Sequence, residues 1–419
     1  MSVLSKHWFT ANLALWAYIA LFKVGGVIYF SSLSTLGERV MPIWIVGLLI
    51  GGSSFIQLLM DVPAGLLLDR FGYTRLLRLS TAILSLGGIL LVVFGLTSWV
   101  FILLNVIGGF GWLFFGPGVD AYLLSIAPRK LVGSYMGVRR SMSSLGVVIG
   151  TSALAFLLIS PISVLGGVIA ATLLVATLLT FGLQTKTPSV HKEVKIPTQH
   201  YYVRRTVLST AVRSIRKLNP ASGLLAFSGF ASATFYAVLW FVIPLYLTSA
   251  SSHGAFDYSL GIFDATAILC GGIVGKLADT KRKRFYVFLG LLLFATFGTL
   301  LGFHLDGWFI VFGFIASLGE ELSTVSLWAW MNELNHDHAH DGLVASIICF
   351  FEDAGWVVGP ILAGFVYSRF GISWTILLGS LLILVSWLMS AVVLLRGSHS
   401  IFHSGKLASA KPHRYTHKD

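Results

Sequence analysis

Lys23, Asp120, Asp264, the pair Glu320-Glu321 and the pair Glu352-Asp353 each interrupt a long apolar stretch. A charge in hydrocarbon is costly, so such a residue normally faces protein, water or an opposite charge. Low dielectric disfavours the charged form of an unpaired carboxylate, which can then take up and release a proton near neutral pH. In this set the acids outnumber the base. Glu320 or Glu321, with Glu352, Asp353 or Asp264, is therefore expected to bind a proton and to suit a cationic group. Adjacent helical residues point about 100° apart, so only one of each acidic pair can face a cavity squarely. The competing reading is a structural ion pair, for example of Lys23 with one of these acids.

The elements that carry these residues must be membrane helices. The chain has 419 residues, 56% of them hydrophobic and 11% charged, where a soluble protein carries about 25% charge. Twelve runs come close to the ~20 apolar residues a spanning helix needs. Spans 1 to 6 fall roughly at 9–30, 42–68, 76–96, 99–126, 133–159 and 162–183. Spans 7 to 12 fall at 223–248, 258–277, 285–303, 308–332, 343–370 and 373–395. Only helices and closed barrels satisfy their backbone in lipid, and these runs are too long and unbroken for barrel strands. The first run has no cleavage-like end and reads as a retained span. Cys270 and Cys349 lie inside apolar runs and imply core residues rather than disulfides.

The cations set the orientation. With a cytoplasmic N-terminus, every lysine and arginine except Lys23, Arg39 and Arg369 falls on the cytoplasmic side, as the positive-inside rule requires. The net charge of +12 then reflects topology rather than nucleic-acid binding. The chain divides into a six-helix bundle (1–183), a linker (184–220), a second six-helix bundle (221–396) and a basic cytoplasmic tail (397–419). In the linker, Val203, Val207, Leu208, Ala211 and Ile215 are spaced for a helix with arginines on its other face. That predicts a basic amphipathic helix on an anionic cytoplasmic leaflet, with a solvated linker as the alternative. The expected setting is a multi-pass monomer in the plasma (inner) membrane.

The two bundles repeat. Gly65-Leu-Leu-Leu-Asp69-Arg70-Phe-Gly72-Tyr-Thr-Arg75 joins spans 2 and 3, and a degraded copy, Gly275-Lys-Leu-Ala-Asp279 followed by cations, joins spans 8 and 9. Gly146-x-x-x-Gly150 in span 5 is answered by Gly355-x-x-x-Gly359 in span 11. The offsets of about 210 residues agree, which indicates a parallel duplication, and small residues at this spacing let helices approach closely.

Twelve spans in two halves, a basic central linker and G-x-x-x-D-R-x-G between spans 2 and 3 resemble the major facilitator superfamily of secondary transporters. The lead-in Asp61-Val-Pro63-Ala-Gly65 is similar to the acidic-x-Pro-x-Gly entry of one branch. The resemblance implies that Asp61, Gly65, Asp69, Arg70, Gly72, Arg75, Gly275 and Asp279 form a conformational gate, latching the halves when the cavity faces outward. It also implies that spans 1, 4, 7 and 10 line the cavity, placing Lys23, Asp120 and one of Glu320 and Glu321 there. The chain departs from the pattern in three places. Tyr73-Thr74 replaces two cations, Asn105 stands where span 4 often has an arginine, and the Gly-Pro expected in span 5 occurs instead in span 11, at Gly359-Pro360.

Aromatic residues share these spans, including Trp112, Phe114 and Phe115 in span 4 and Tyr236 and Trp240 in span 7. An aromatic cavity with a few carboxylates suits an amphiphilic or cationic organic solute. Trp99 and Trp308, at span ends, are expected interface anchors. His336, His338 and His340 alternate between spans 10 and 11, but such a run is more often a solvated turn than a metal site, and neither metal nor cofactor is assigned. No phosphate-binding loop, HExxH, CxxC or serine elbow is present, which argues against an enzyme. The expected function is alternating-access transport of a small organic solute, coupled to protons, with export favoured. Uptake of a polar metabolite, lipid translocation and a non-transporting relative are the alternatives.

Overall fold

The computed structural model describes residues 12–126, 132–183, 220–249, 259–278, 280, 282–303, 308–334 and 341–404. In the first half, span 1 is the helix Leu13–Glu38, span 2 Ile43–Phe71 and span 3 Tyr73–Phe94. Span 4 is two helices, Ser98–Trp112 and Phe115–Ile126. Span 5 is Val132–Leu158, and span 6 is Ile162–Leu179 with a closing 3-10 turn. In the second half, spans 7 to 10 are Pro220–Ser249, Ser259–Ala278, Lys283–Phe303 and Phe309–Leu334.

Spans 11 and 12 form one helical stretch, Asp341–Ser404, broken at Gly371, where φ is 78° and ψ −175°. Sixty-four residues of straight helix would reach about 96 Å, three times the ~30 Å hydrocarbon core. Gly371 makes the reversal because it has no Cβ to clash at positive φ. Among the described residues, eleven helices are long and apolar enough to cross a membrane. The last of these includes both sides of Gly371, so the described residues hold twelve candidate spans.

Two boundaries differ from those expected. Span 1 continues past residue 30 to Glu38, because the small hydroxyls that follow bond to their own helix: Ser32 donates to the Tyr29 carbonyl and Thr35 to the Ser32 carbonyl, both at 2.9 Å. Span 12 continues to Ser404, into the segment expected to be tail. Except for Pro220, which opens span 7, the linker lies outside the described residues, as does the 336–340 histidine run.

The duplication reappears as packing. Gly146 and Gly150 lie against the span-1 backbone at Ala20 and Val24, while Gly355 and Gly359 lie against the span-7 backbone at Phe230 and Thr234. These contacts keep the offset seen in the sequence. A Cβ at Gly355 would sit 2.6 Å from the Phe230 carbonyl oxygen, so only glycine allows this approach.

The core runs along spans 1, 4 and 7, with Trp16, Tyr18, Phe22, Tyr29, Phe101 and Phe235 almost fully buried. Val93, Phe156, Leu178, Leu269 and Phe370 project from the outside of the bundle, where lipid replaces water as solvent. Trp99 and Trp308 are 49% and 59% exposed at span ends, as interface anchors should be.

The halves meet tightly at the end of the bundle that is poor in cations. There Gly47 and Gly51 of span 2 face Pro360, Gly364, Val357 and Ile361 of span 11, and Gly261 of span 8 faces Val148 and Thr151 of span 5. Phe30 packs edge-on to Trp356, with ring centroids 5.9 Å apart. Span 10 packs chiefly on spans 7, 8 and 9 of its own half.

Candidate functional site: a charged seam between the halves

Span 5 supplies the centre of the site. Its helix starts at Val132, which places Arg139 and Arg140 about two turns inside it. Neighbouring positions point in different directions, and these arginines take different partners. Arg139 Nε lies 2.6 Å from Asp120 Oδ1 of span 4, within the same half. These two atoms are close but not aligned as a hydrogen bond, so the contact is an ion pair. Arg140 donates to Glu321 Oε2 of span 10, in the other half. The Glu321 side chain is 5% exposed and that of Arg140 50%.

One helical turn beyond Arg140, the Ser144 hydroxyl donates to Asp264 Oδ1 of span 8 at 3.3 Å. Positions i and i+4 share a helix face. A single face of span 5 thus reaches across to two carboxylates of the opposite half.

More acids surround this point. Glu320 accepts from the Thr324 hydroxyl at 3.2 Å and feels the charges of Glu321, Arg140 and Glu352. The Glu352 side chain lies along Gly229 of span 7, where a Cβ would meet its Cγ at 2.8 Å. Tyr236 lies within electrostatic reach of Glu320, Asp264 and Glu321. Its ring stands edge-on to Phe263, with centroids 5.7 Å apart.

Lys23 enters from span 1. Its ammonium is 4.9 Å from the Trp112 ring and 5.5 Å from the Phe115 ring. Asp264 is the opposite charge that acts on it and Arg139 the like charge. The two rings flank the interruption of span 4 at Leu113-Phe114. Pro117 explains that interruption, since it has no N–H to give the Leu113 carbonyl. Phe22 stacks on Phe115 at 3.7 Å and 4°, and Gly26 leaves room for Trp112, whose Cζ2 would be 2.7 Å from a Cβ there.

The structure thus gathers Lys23, Asp264, Glu320, Glu321, Glu352, Tyr236 and Trp112, with Asp120 joined through Arg139. Asp353 is half-buried on span 11 next to Glu352. Asn105 is buried nearer the cation-poor end, its amide donating to the Phe101 carbonyl of its own helix at 2.9 Å. Trp240, with Phe30, Ile50, Phe241 and Pro360, lines a narrow crevice at the closed end.

Of the expected gate, Arg70 and Arg75 are exposed, and Arg70 lies 5.5 Å from the Phe71 ring. Gly72 ends span 2 at φ 86° and donates its N–H to the Leu68 carbonyl. Among the described residues, nothing stands within 4 Å of where a Gly275 side chain would be. The side chains of Asp61 and Asp69 and the surroundings of Gly65 are outside the described set, as is Asp279.

One correction concerns charge. The sequence reading grouped Arg139 and Arg140 with the loop cations, but they stand inside span 5 and pair with Asp120 and Glu321. For Asp120 and Glu321 the geometry thus matches the ion-pair alternative, with arginines rather than Lys23 as partners. The signal was available, because the apolar run of span 5 already begins before them. With both arginines counted, Asp120, Asp264, Glu320, Glu321 and Glu352 still exceed Lys23, Arg139 and Arg140.

The sequence profile of the Major Facilitator Superfamily matches residues 15–340 and, in a second alignment, 225–406. The chain belongs to the major facilitator superfamily. Like other members it is a multi-pass secondary transporter for small-molecule solutes, and not an enzyme. The second alignment covers the C-terminal half from span 7 onward, in keeping with the duplicated packing. No curated protein matches the chain. In major facilitator proteins two bundles rock around a site at their interface, and the charged seam lies on the interface between the two halves here.

Proposed function

We propose that this major facilitator protein is a proton-coupled exporter of amphiphilic or cationic organic solutes, with its termini and cation-rich end in the cytoplasm and its spans in the plasma (inner) membrane. The Arg140–Glu321 pair carries this reading, because it joins the halves at a point where Asp264, Glu320 and Glu352 add further negative charge. A carboxylate there can hold an arginine, a proton or a cationic solute, and each excludes the others. Competition between proton and solute for the same acids produces exchange. The halves separate at this seam only when its cross-contacts are released, so occupancy of the acids biases which end is open.

The rings of Trp112, Phe115, Tyr236 and Phe263 supply the apolar, cation-attracting surface that an amphiphilic solute needs. With the cation-rich end in the cytoplasm, the closed end faces outward and the seam faces the side where an exporter loads. Reconstitution into liposomes tests the reading. Tetraphenylphosphonium movement driven by an imposed pH gradient, in the direction opposite to the protons, is expected. Flux that ignores the pH gradient, or no flux of any organic cation, would contradict it.

A further inference from the structure

Both arginines of the seam sit against carboxylates at ion-pair distance, whereas Lys23 rests on aromatic faces. Its ammonium lies over Trp112 at 4.9 Å and Phe115 at 5.5 Å. Asp264, the carboxylate acting on it, comes from the opposite half and is steadied by Ser144 at 3.3 Å. Ring faces plus one carboxylate are the recognition chemistry of organic ammonium groups. Two details point to a built receptor. Gly26 makes room for the Trp112 ring against span 1. Gly146 closes on the Lys23 stem, where a Cβ would lie 2.7 Å from the lysine Cβ, so the base of the side chain is packed against span 5.

We propose that Trp112, Phe115 and Asp264 form a receptor for an organic ammonium group, and that Lys23 occupies it as a tethered stand-in which a cationic solute displaces. The proposal rests on the reading of the protein as a carrier of cationic solutes and names the subsite that takes the charge. The charged groups facing Lys23 are Asp264 of span 8 and Arg139 of span 5. A solute cation that claims Asp264 leaves Lys23 with Arg139 alone, two like charges in low dielectric. Lys23 then releases one proton to the solvent from which the solute enters and becomes a neutral amine. One solute charge enters, one proton leaves, and the charge of the receptor is unchanged. Return of the proton to Lys23 expels the solute.

Full-length protein in lipid nanodiscs provides the test, with n-butylammonium, which matches the lysine side chain, as the probe at pH 6. Lys23→Ala should bind it at least about tenfold more tightly than wild type, and Lys23→Ala/Asp264→Asn should lose the gain. As pH rises and Lys23 gives up its proton, wild type should approach the variant. Lys23→Met keeps the stem. Should Lys23→Ala fail to fold, Lys23→Met must bind tetraphenylphosphonium more tightly than wild type by a similar factor. Unchanged or weaker binding in the folded variants would overturn the receptor. Tight butylammonium binding by Lys23→Ala, with no organic-cation flux by wild type, would support the receptor and overturn the exporter reading.

Discussion

Arg140 on span 5 and Glu321 on span 10 form an ion pair between the two halves of the molecule, close to the centre of the bundle. The pair is asymmetric, with Glu321 almost wholly buried and half of the Arg140 side chain exposed. Removing one partner leaves the other charge uncompensated, whereas replacing both with apolar groups is often neutral. Arg140→Met should therefore lower stability by roughly 1–3 kcal/mol, less than the ~3–5 of a fully buried pair because Arg140 keeps partial access to water. Arg140→Met/Glu321→Met should recover most of that loss. Melting temperatures of the single and double variants in detergent form the cycle that checks this. Additive losses would mean that the two charges do not interact.

Gly51 of span 2 lies against span 11, where a Cβ would be 2.6 Å from Ile361 Cγ1 and 2.7 Å from the Val357 carbonyl oxygen. Gly51→Leu should overpack the closed end by ~1–3 kcal/mol and favour the conformer open there. Ser34, 1% exposed, lines the crevice at that end. A cysteine placed at Ser34, with Cys270 and Cys349 replaced, should react with a thiol reagent faster in the Gly51→Leu background. Equal labelling rates would show that this contact does not gate the end.

The repeat makes a paired prediction. Gly146→Val and Gly355→Val each drive a side chain into the backbone of the helix opposite, span 1 and span 7 respectively. Both should lower the melting temperature by comparable amounts. Gly275→Ala should leave it unchanged or raise it, because no described residue stands within 4 Å of a Cβ there and alanine is the better helix former. A large loss at Gly275 with none at Gly355 would contradict the packing described here.

These contrasts indicate what the sequence makes legible. The apolar runs and the Gly146 and Gly355 motifs carry the fold, because lipid demands long helices and close crossings demand glycine at a fixed spacing. Lys23, Asp264, Glu320, Glu321 and Glu352 were readable because a charge in an apolar run stands out at once. Arg139 and Arg140 were misplaced because the start of a helix blurs into a basic loop such as the one holding Arg129 and Lys130. The Lys23–Trp112 contact was not readable at all. It depends on the relative register of spans 1 and 4, and that is set by Gly26 and by the interruption of span 4 before Pro117. Likewise, the polar stretch after residue 30 did not look like membrane helix, because the bonds that Ser32 and Thr35 make to their own backbone are invisible in a hydropathy pattern.

Proton-driven flux in liposomes, compared between wild type and the single variants Asp264→Asn, Glu320→Gln, Glu321→Gln and Glu352→Gln, tests the central claim most directly. At least one variant should still exchange tetraphenylphosphonium down its own gradient while losing the tenfold or greater stimulation that an opposing pH gradient gives wild type. Full stimulation in all four would show that the carboxylates of the seam do not carry the coupling proton.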